Sequence, residues 1–194
     1  MISFGAKIPI AKCKIQNRET GQFENATVFE YTCTDKSDVE KIKRIIAKQD
    51  WEFGVDIYSD ADWKNFASTF DKNSQNTHFY SLENKRRRTI GLCETTENEN
   101  ITVELLETKQ SNTYRFVGQT ILSTLAKKAF SKSSPLVIQN AIPKALDFYR
   151  KTCGFNQEIK DGDDISFIVD KAQLQFFINQ TNQRTNGELI NLSV

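Results

Sequence analysis

The chain begins with two stretches in which apolar and polar residues alternate, followed by a stretch with a helical period. Residues 7–15 and 27–33 have the alternation of half-buried strands, and the polar segment between them contains Gly21, which suits a tight turn. Residues 34–50 then place apolar side chains at helical spacing, behind two residues that can cap the first turn, Thr34 and Asp35. We therefore expect a β-hairpin and then a helix.

The middle of the chain predicts one more helix and three strands. Residues 59–70 carry aromatic side chains on one face, as an amphipathic helix does. Short apolar segments separated by polar turns follow at 77–82, 89–95 and 101–107, and their short connections favour an antiparallel meander. Four aromatic residues of this region suit either the core or an apolar substrate wall: Trp51, Phe53, Trp63 and Phe66.

The segment after residue 107 predicts a crossover between two parallel strands. A helix is expected over 119–131 and a short strand over 135–139. A strand, a helix and a strand in this order form a parallel pair joined by a right-handed connection. The fold class is therefore α+β, with a mixed, mostly antiparallel central sheet that contains one parallel pair and is flanked by helices.

The C-terminal part predicts another helix and a closing hairpin. The helix covers 142–153, where Pro143 suits the first turn and Gly154 suits the stop. The hairpin covers 155–160 and 164–170, and the polar residues between them suit a turn. The chain then continues as an edge strand or a short helix.

The length of 194 residues supports one globular domain. We expect it to span residues 1–178, with an N-terminal hairpin extension over 1–26, and to be followed by a polar tail over 179–194. The apolar runs are too short for a signal peptide or a membrane span, which favours a cytoplasmic protein without a membrane partner.

The cysteines and the histidine argue against a metal site. The chain has a single histidine, His78, and its cysteines are widely spaced without a CxxC pair. We expect reduced thiols in the core and no metal cofactor. The cysteines are Cys13, Cys33, Cys93 and Cys153.

Charge is distributed unevenly, although the formal net charge is only +1. Between Glu107 and Asp147 the sequence has no acidic residue, whereas it has six basic ones, Lys109, Arg115, Lys127, Lys128, Lys132 and Lys144. The rest of the chain is net acidic. This distribution predicts that the interval holds an anion.

The start of the helix predicted over 119–131 is a candidate for that anion site. Gly118 lets a ligand approach the backbone, and no carboxylate competes for the N–H groups of the first turn. A helix N-terminus in this condition suits phosphate, with Arg115 nearby. A helix start without any ligand is the alternative, since neither GxxxxGK nor GxGxxG is present.

Two motifs give the chain a resemblance to a known family. The run Arg115 to Thr120, RFVGQT, is similar to the R/Q-x-x-G-x-G/A loop of the GNAT superfamily of N-acetyltransferases. The residues Ala145, Phe148, Tyr149, Gly154 and Phe155 look like a later helical element of the same family. The resemblance covers residues 27 to 170 and implies a GNAT-like fold whose parallel strands splay apart. Thr120 replaces a small residue of the loop, and Ile142 stands where members often have Asn.

The resemblance implies a site for acetyl-CoA as co-substrate. Pyrophosphate would lie on the loop and helix start, formed by Arg115, Phe116, Val117, Gly118, Gln119 and Thr120. Pantetheine would run beside Leu105 and Leu106, with Asn140 as a further contact. Tyr149 would protonate the departing thiolate, and Glu104 or Glu107 would deprotonate the amine. Strand alternation predicts that these two glutamates point to opposite faces.

Three functions are compatible with these patterns. The first is an N-acetyltransferase in which an amine attacks acetyl-CoA directly in a ternary complex; the acceptor is a small molecule, a peptide or a protein lysine, and a homodimer is left open. The second is a catalytically inactive GNAT-like module that binds acyl-CoA or a protein partner. The third, nucleic-acid binding through residues 85–88, is disfavoured because this basic run lies in a predicted turn.

Overall fold

A computed structural model describes residues 7–32, 34–47, 75–109, 113–185 and 190–191. The helix predicted over 59–70, the aromatic residues between 51 and 66, and Cys33 lie outside these residues. No helix within the described ranges combines the length and the apolar character that crossing a membrane requires.

The N-terminal part forms the expected hairpin and helix. Strand β1 (Ile8–Asn17) pairs antiparallel with β2 (Phe23–Thr32), and Gly21 has a φ of 69° in the turn between them. Helix α1 (Lys36–Ala47) follows, and the Ser37 N–H donates to Asp35 Oδ1 at 2.8 Å, so that Asp35 provides the N-terminal cap.

The next three strands form the antiparallel meander that the sequence predicts. They are β3 (Thr77–Asn84), β4 (Thr89–Glu97) and β5 (Ile101–Thr108). Strand β3 also pairs antiparallel with β2, which makes the N-terminal hairpin part of the main sheet.

The crossover to the parallel strand is also confirmed. The short strand β6 (Tyr114–Arg115) pairs with β1, and helix α2 (Val117–Lys132) leads to β7 (Leu136–Ile138), which is parallel to β5. Helix α2 begins two residues earlier than predicted and is buried along most of its first turns.

The C-terminal elements follow the predicted order, with one irregular helix. Helix α3 (Pro143–Asp147) begins at a proline and continues as a π-helical turn (Phe148–Cys153) that ends at Gly154, whose φ is 76°. Strands β8 (Glu158–Asp161) and β9 (Asp164–Val169) form the closing hairpin. The π-helical turn has no signature in the apolar pattern.

A last helix lies where the sequence allows an edge strand or a short helix. Helix α4 (Lys171–Arg184) is capped by Asp170 and runs past Asn179, where the sequence places the start of the polar tail. Its burial of Ile178 and Thr181 explains why the helix continues. The backbone of β10 (Ile190–Asn191) then pairs with β1.

The strands form one mixed sheet with the order β10-β1-β2-β3-β4-β5-β7-β9-β8. The larger core lies between the sheet and helices α2 and α4, and a smaller one lies on the other side, where Tyr31, Phe79 and Leu92 meet α1. We call these sides the α2 face and the α1 face. Within the described residues the cysteines are buried free thiols, as expected: Cys13, Cys93 and Cys153.

Candidate functional site

The parallel strands β5 and β7 separate after a short pairing. Only three residues of each strand pair, and the last hydrogen bond runs from the Gln139 N–H to the Val103 carbonyl at 3.1 Å. The chain after β7 then turns toward β9, where the Ala141 N–H donates to the Ile165 carbonyl at 2.7 Å. Strand β5 continues without β7 beside it, so a gap opens in the sheet.

Residues from both faces of the sheet line this gap. Leu106 packs with the core of the α2 face, and Leu105 packs with the core of the α1 face. Both line a cavity of about 40 Å³ at the gap, together with Asn140 and Tyr149. The gap therefore connects the two faces at the point where β5 and β7 diverge.

A larger cavity of about 320 Å³ lies beside the gap, at the N-terminus of α2. Residues 116–119 form one wall, and Lys144, Phe148 and Thr152 form the opposite wall. Leu106, Ala145 and Tyr149 line both this cavity and the gap. The two spaces are therefore adjacent, and Tyr149 stands between them.

The N-terminus of α2 presents backbone N–H groups without a side-chain cap. The first residue before the helix, Phe116, has a φ of 68°, and its side chain makes no capping hydrogen bond. The Thr120 N–H donates to the Phe116 carbonyl at 2.8 Å, so the amides of residues 117–119 precede the first intrahelical bond. These amides and the helix dipole form a place for an anion.

Tyr149 is held among aromatic rings in the π-helical turn. Its ring stacks on Phe155 at 6.4 Å and lies 5.5 Å from the ring of Phe167. Burial, with smaller contributions from Cys153 and Cys93, raises the pKa of Tyr149 far above its ordinary value. The phenol therefore keeps its proton until a base takes it.

Several solved structures of GNAT proteins have a fold similar to that of this chain. A GNAT-family acetyltransferase from Staphylococcus aureus Mu50 has a TM-score of 0.55 at 15% identity, over 74% of this chain and 97% of that one. FdhC, described as a nucleotide-linked sugar GNAT, has a TM-score of 0.57 at 13% identity, over 94% and 100%. Spermidine N-acetyltransferase from Vibrio cholerae has a TM-score of 0.50 at 15% identity, over 76% and 95%.

The chain has the GNAT fold. The fold that the sequence motifs imply is thereby confirmed, including the mixed sheet with one parallel pair. No protein-family model and no curated protein sequence matches this chain. At these identities the shared feature is the architecture, and the roles of individual residues depend on the geometry of this chain.

The GNAT fold brings most of the sequence-predicted cofactor residues together. Residues 116–119 line the larger cavity, Leu106 lines both spaces, and Leu105 and Asn140 line the gap. The lack of a side chain at Gly118 lets the start of α2 lie close to Phe148, since a Cβ at this position would be 3.4 Å from Phe148 Cζ. Gln119 is 4% exposed, and its Nε2 has no hydrogen-bond partner among the described residues.

Two of the predicted residues lie elsewhere. The Arg115 side chain is exposed and lines neither space. Thr120 is fully buried below the first turn and also lines neither space, so its side chain does not crowd the cavity. Its amide already donates within the helix.

Two basic residues that the motifs do not contain line the larger cavity instead. Arg18 comes from the turn between β1 and β2, and its N–H donates to the Thr113 carbonyl at 2.7 Å. Lys144 follows the proline that begins α3. The proximity of Arg18 depends on the pairing of β6 with β1, which no local pattern indicates. The N-terminal hairpin thus takes part in the candidate site.

The acid-free interval does not form a single anion site. Lys128 and Lys132 lie in the second half of α2 and pair with Glu97 at 2.8 and 3.0 Å. Lys109 lies at the end of β5, and Lys144 lies at the larger cavity. The basic residues of the interval therefore lie in separate parts of the molecule, because Lys128 and Lys132 are several helical turns away from the N-terminus of α2.

A β-bulge changes the predicted directions of Glu104 and Glu107. Val103 pairs with Thr95 and Leu105 pairs with Glu94, so Glu104 is an extra residue in β5. Glu107 pairs with Leu92 of the α1-face core. Glu94 lies on the α1 face, as Leu92 does, because neighbouring residues of a strand point to opposite faces and Cys93 belongs to the α2 face. The charge of Glu104 acts on Glu94, so Glu104 also lies on the α1 face. The prediction of opposite faces was wrong, because the bulge shifts the alternation by one residue.

The sequence motifs did not indicate Glu94, which lies beside Glu104 on the α1 face. Glu94 is 7% exposed, and its Oε2 has no hydrogen-bond partner among the described residues. Burial and then the charge of Glu104 raise the pKa of Glu94 to about 8. Burial also raises the pKa of Glu104, against a hydrogen bond from Thr96. Glu104 and Glu107 line the gap itself, and Glu94 lies beside Glu104 on the neighbouring strand β4. We call Glu94 and Glu104 the gap carboxylates.

A second set of carboxylates lies on the α2 face, around the ammonium of Lys128. Lys128 Nζ is 2.9 Å from Glu30 Oε1 and 2.8 Å from Glu97 Oε1, and the Tyr80 hydroxyl and His78 Nδ1 also contact these acids. Three of these residues have the spacing of metal ligands, Glu30, His78 and Glu97, but the lysine already supplies the cation. We call the five residues the paired cluster.

Proposed function

We propose that this chain is an N-acyltransferase that transfers an acetyl group from acetyl-CoA to an amine in a ternary complex. The GNAT acetyltransferase neighbours support acyl transfer in general. The geometry of the chain supports the donor and the roles of the residues. A cytoplasmic location and a homodimer stay predictions from the sequence.

One observation carries the proposal: Tyr149 stands between the cavity at the α2 N-terminus and the gap between β5 and β7. The cavity has the uncapped amides and the basic residues Arg18 and Lys144 that a pyrophosphate requires. The gap gives an extended thioester arm a route along β5. A donor in this position would reach the α1 face with its acyl group beside Tyr149.

The residues at the gap suit the proton transfers of the reaction. The amine attacks the thioester carbonyl carbon, the C–S bond breaks, and the sulfur leaves as a thiolate. Tyr149 is protonated at neutral pH and would give its proton to that thiolate. The ammonium proton of the acceptor would go to a carboxylate on the α1 face, and Glu94, with its pKa of about 8, is a stronger base than an ordinary glutamate.

The non-catalytic alternative rests on the size of the gap. Its cavity of about 40 Å³ is little more than the roughly 30 Å³ that one water molecule occupies in the liquid. A thioester arm therefore needs β5 and β7 to move farther apart. If they stay as they are, the chain would bind the nucleotide part of acyl-CoA without turning it over.

The identity of the acceptor is a separate question. FdhC is described as a nucleotide-linked sugar GNAT, and the Vibrio cholerae protein is a spermidine N-acetyltransferase, so the architecture alone does not define the acceptor. The proposed acceptor can therefore be a small amine, a peptide N-terminus or a lysine side chain.

Calorimetric titration with acetyl-CoA tests the proposal through Gly118→Glu. The new carboxylate would meet the Phe148 ring and place a negative charge at the amides that hold pyrophosphate. We expect affinity to fall at least tenfold, which corresponds to about 1.4 kcal/mol. The matched control is Gln175→Glu, which adds the same charge to an exposed position of α4.

The outcomes distinguish an acetyltransferase from a non-catalytic module that binds acyl-CoA. If acetyl-CoA does not bind the unaltered chain, or binds Gly118→Glu equally well, the proposed donor site is wrong. If binding behaves as expected but no amine in a broad panel is acetylated, the non-catalytic alternative replaces the enzyme.

A further inference from the structure

The α1 face has an open cavity of about 690 Å³ beyond the end of the gap. It lies between α1 and the ends of strands β2 to β5, and Tyr31 and Ile45 form its apolar part. Six basic side chains line it: Lys7, Lys41, Arg44, Arg87, Arg88 and Lys109. Among the described residues, Glu83 is the one acidic member of this lining.

A rigid turn holds two of the arginines at the cavity. The Asn84 side chain accepts hydrogen bonds from the N–H groups of Arg86 and Arg88 at 3.0 and 3.1 Å. The backbone closes the same turn, since the Asn84 N–H donates to the Arg88 carbonyl at 3.0 Å. Arg87 has a φ of 58°, a conformation that a non-glycine residue adopts only when its surroundings impose it. Arg87 and Arg88 are therefore presented by a fixed backbone.

The described residues compensate the positive charge of this cavity only in part. Lys7 pairs with Glu83 at 2.5 Å, and Lys41 pairs with Asp38 at 3.4 Å. The guanidinium groups of Arg44, Arg87 and Arg88 have no carboxylate partner within the described parts of the chain. Clustered cations of this kind repel one another, and an anionic ligand would relieve that repulsion.

The buried carboxylate in the lining provides a second and independent indication of a ligand. Glu83 is 5% exposed, and its Oε1 accepts hydrogen bonds from Lys7 and from the Tyr31 hydroxyl at 2.5 and 3.4 Å. Its Oε2 has no hydrogen-bond partner among the described residues. A buried oxygen without a partner is costly, and a hydroxyl or amine of a ligand in the cavity would satisfy it.

We infer that this cavity binds the phosphate groups of the acceptor, so that the acceptor is a phosphorylated amine. The inference rests on the proposed acyl transfer, because it needs an amine at the gap. Lys109 follows Glu107 by two residues, which is about 7 Å along a strand. Because Glu107 lines the gap, a small molecule can place its phosphate at Lys109 and the arginines while its amine lies at the gap beside Glu107.

The cofactor's own phosphates lie on the other side of the sheet in this arrangement. The cavity at the α2 N-terminus is on the α2 face, and its lining shares no residue with the basic cavity. Nucleic acid fits the basic cavity less well, since only Arg87 and Arg88 of the run 85–88 line it. The concave shape favours a small ligand.

Pyrophosphate, titrated by calorimetry, is the probe for the site. Because pyrophosphate could also occupy the α2 N-terminus, four proteins are compared: the unaltered chain, Gly118→Glu, the double variant Arg87→Gln/Arg88→Gln, and the control Arg86→Gln/Lys160→Gln. The control removes the same number of exposed charges away from the cavity. Gly118→Glu blocks the α2 N-terminus, so we expect this variant to keep the binding that belongs to the basic cavity. That binding should weaken at least tenfold in Arg87→Gln/Arg88→Gln and not in the control. If Arg87→Gln/Arg88→Gln binds as the unaltered chain does, or if Gly118→Glu abolishes binding, the inference is overturned.

A pair of acceptors tests the same inference during turnover. Phosphoethanolamine should be acetylated with at least tenfold higher kcat/KM than ethanolamine, and Arg87→Gln/Arg88→Gln should remove this preference through KM. Equal use of both amines, or an oligonucleotide that binds with a dependence on all of residues 85–88, would contradict a phosphorylated small acceptor. Acetyl-CoA binding is measured separately, so a failure of the donor site is distinguishable from a failure of the acceptor site.

Discussion

The paired cluster and the gap carboxylates place acidic side chains of the same sheet in opposite surroundings. Burial alone would raise the pKa of Glu30, but contacts with His78 and Lys128 outweigh it and lower the value to about 2. At the gap, burial and the charge of Glu104 act together, and the pKa of Glu94 rises to about 8. Both sites remove carboxylates from water, but within the described ranges the paired cluster supplies compensating charge and the gap does not.

The difference favours separate roles for the two sets of acids. A carboxylate with a lysine and hydrogen-bond donors around it contributes to folding, whereas a buried carboxylate beside another one costs stability. Proteins retain such costly groups mainly where chemistry needs them. The comparison therefore supports Glu94 as a proton acceptor at the gap and the paired cluster as part of the framework.

The largest expected effect comes from removing the cation of the paired cluster. Lys128→Met removes the cation that the half-buried Glu30 shares with the buried Glu97, and leaves only Lys132 paired with Glu97 within the described residues. We expect the free energy of unfolding to fall by about 3 kcal/mol, as when one member of a buried ion pair is removed. Denaturant unfolding at pH 7 measures it.

A control for this experiment is an ion pair in solvent. Lys151 and Asp147 lie 2.8 Å apart, and their side chains are 74% and 70% exposed. Lys151→Met should therefore cost less than about 0.5 kcal/mol. Equal losses in the two variants would mean that the paired cluster has no structural role.

The next largest effect is an increase in stability, and it comes from removing the charge of Glu94 beside the gap. The folded pKa of Glu94 lies above its ordinary value of 4.5, so the native state holds more protons than the unfolded state between pH 4.5 and 8, and stability falls as pH rises through this window. Glu94→Gln removes this loss. We expect the variant to be about 2 kcal/mol more stable than the unaltered chain at pH 8, and nearly equal to it at pH 4.5.

The same variant tests the proposed proton transfer. If Glu94 accepts the ammonium proton, acetylation should fall at least tenfold although the protein is more stable. Glu99→Gln, at an exposed position beyond β4, should change neither quantity. Lower stability at pH 8 in Glu94→Gln would refute the electrostatic description of the gap.

The smallest effect is the acid sensitivity of the paired cluster. The folded pKa of Glu30 lies below its ordinary value, so its contribution is complete above pH 4.5 and is lost as pH falls toward about 2. Between pH 4.5 and 3.5 the unaltered chain should lose about 1 kcal/mol more than Glu30→Gln. Unfolding curves at the two pH values measure the difference, and parallel losses would contradict it.

Local patterns in the sequence were sufficient for most of the fold. The hairpin of β1 and β2, the meander of β3 to β5 and the crossover to β7 follow from alternation, helical spacing and short turns. The π-helical turn after α3 was missed, because an extra residue in a helical turn leaves the apolar spacing almost unchanged.

The candidate site was predictable only in part. Gly118 and Tyr149 belong to motifs that are continuous in sequence, so their neighbourhood could be anticipated. Arg18 reaches the cavity through the pairing of β6 with β1, and Glu94 faces Glu104 only because of a bulge. Register and bulges arise from long-range pairing, which a short window of sequence does not contain.

The sequence alone therefore determined the order of the elements and a helix α2 whose N-terminus lacks an acidic complement. Each of these depends on residues that are close together along the chain. The tertiary structure decided which charges meet: it paired Lys128 and Lys132 with Glu97, placed Lys109 on the opposite face, and brought Glu94 next to Glu104. Electrostatic energy depends on distance in space and on burial, and both exist only in the folded chain.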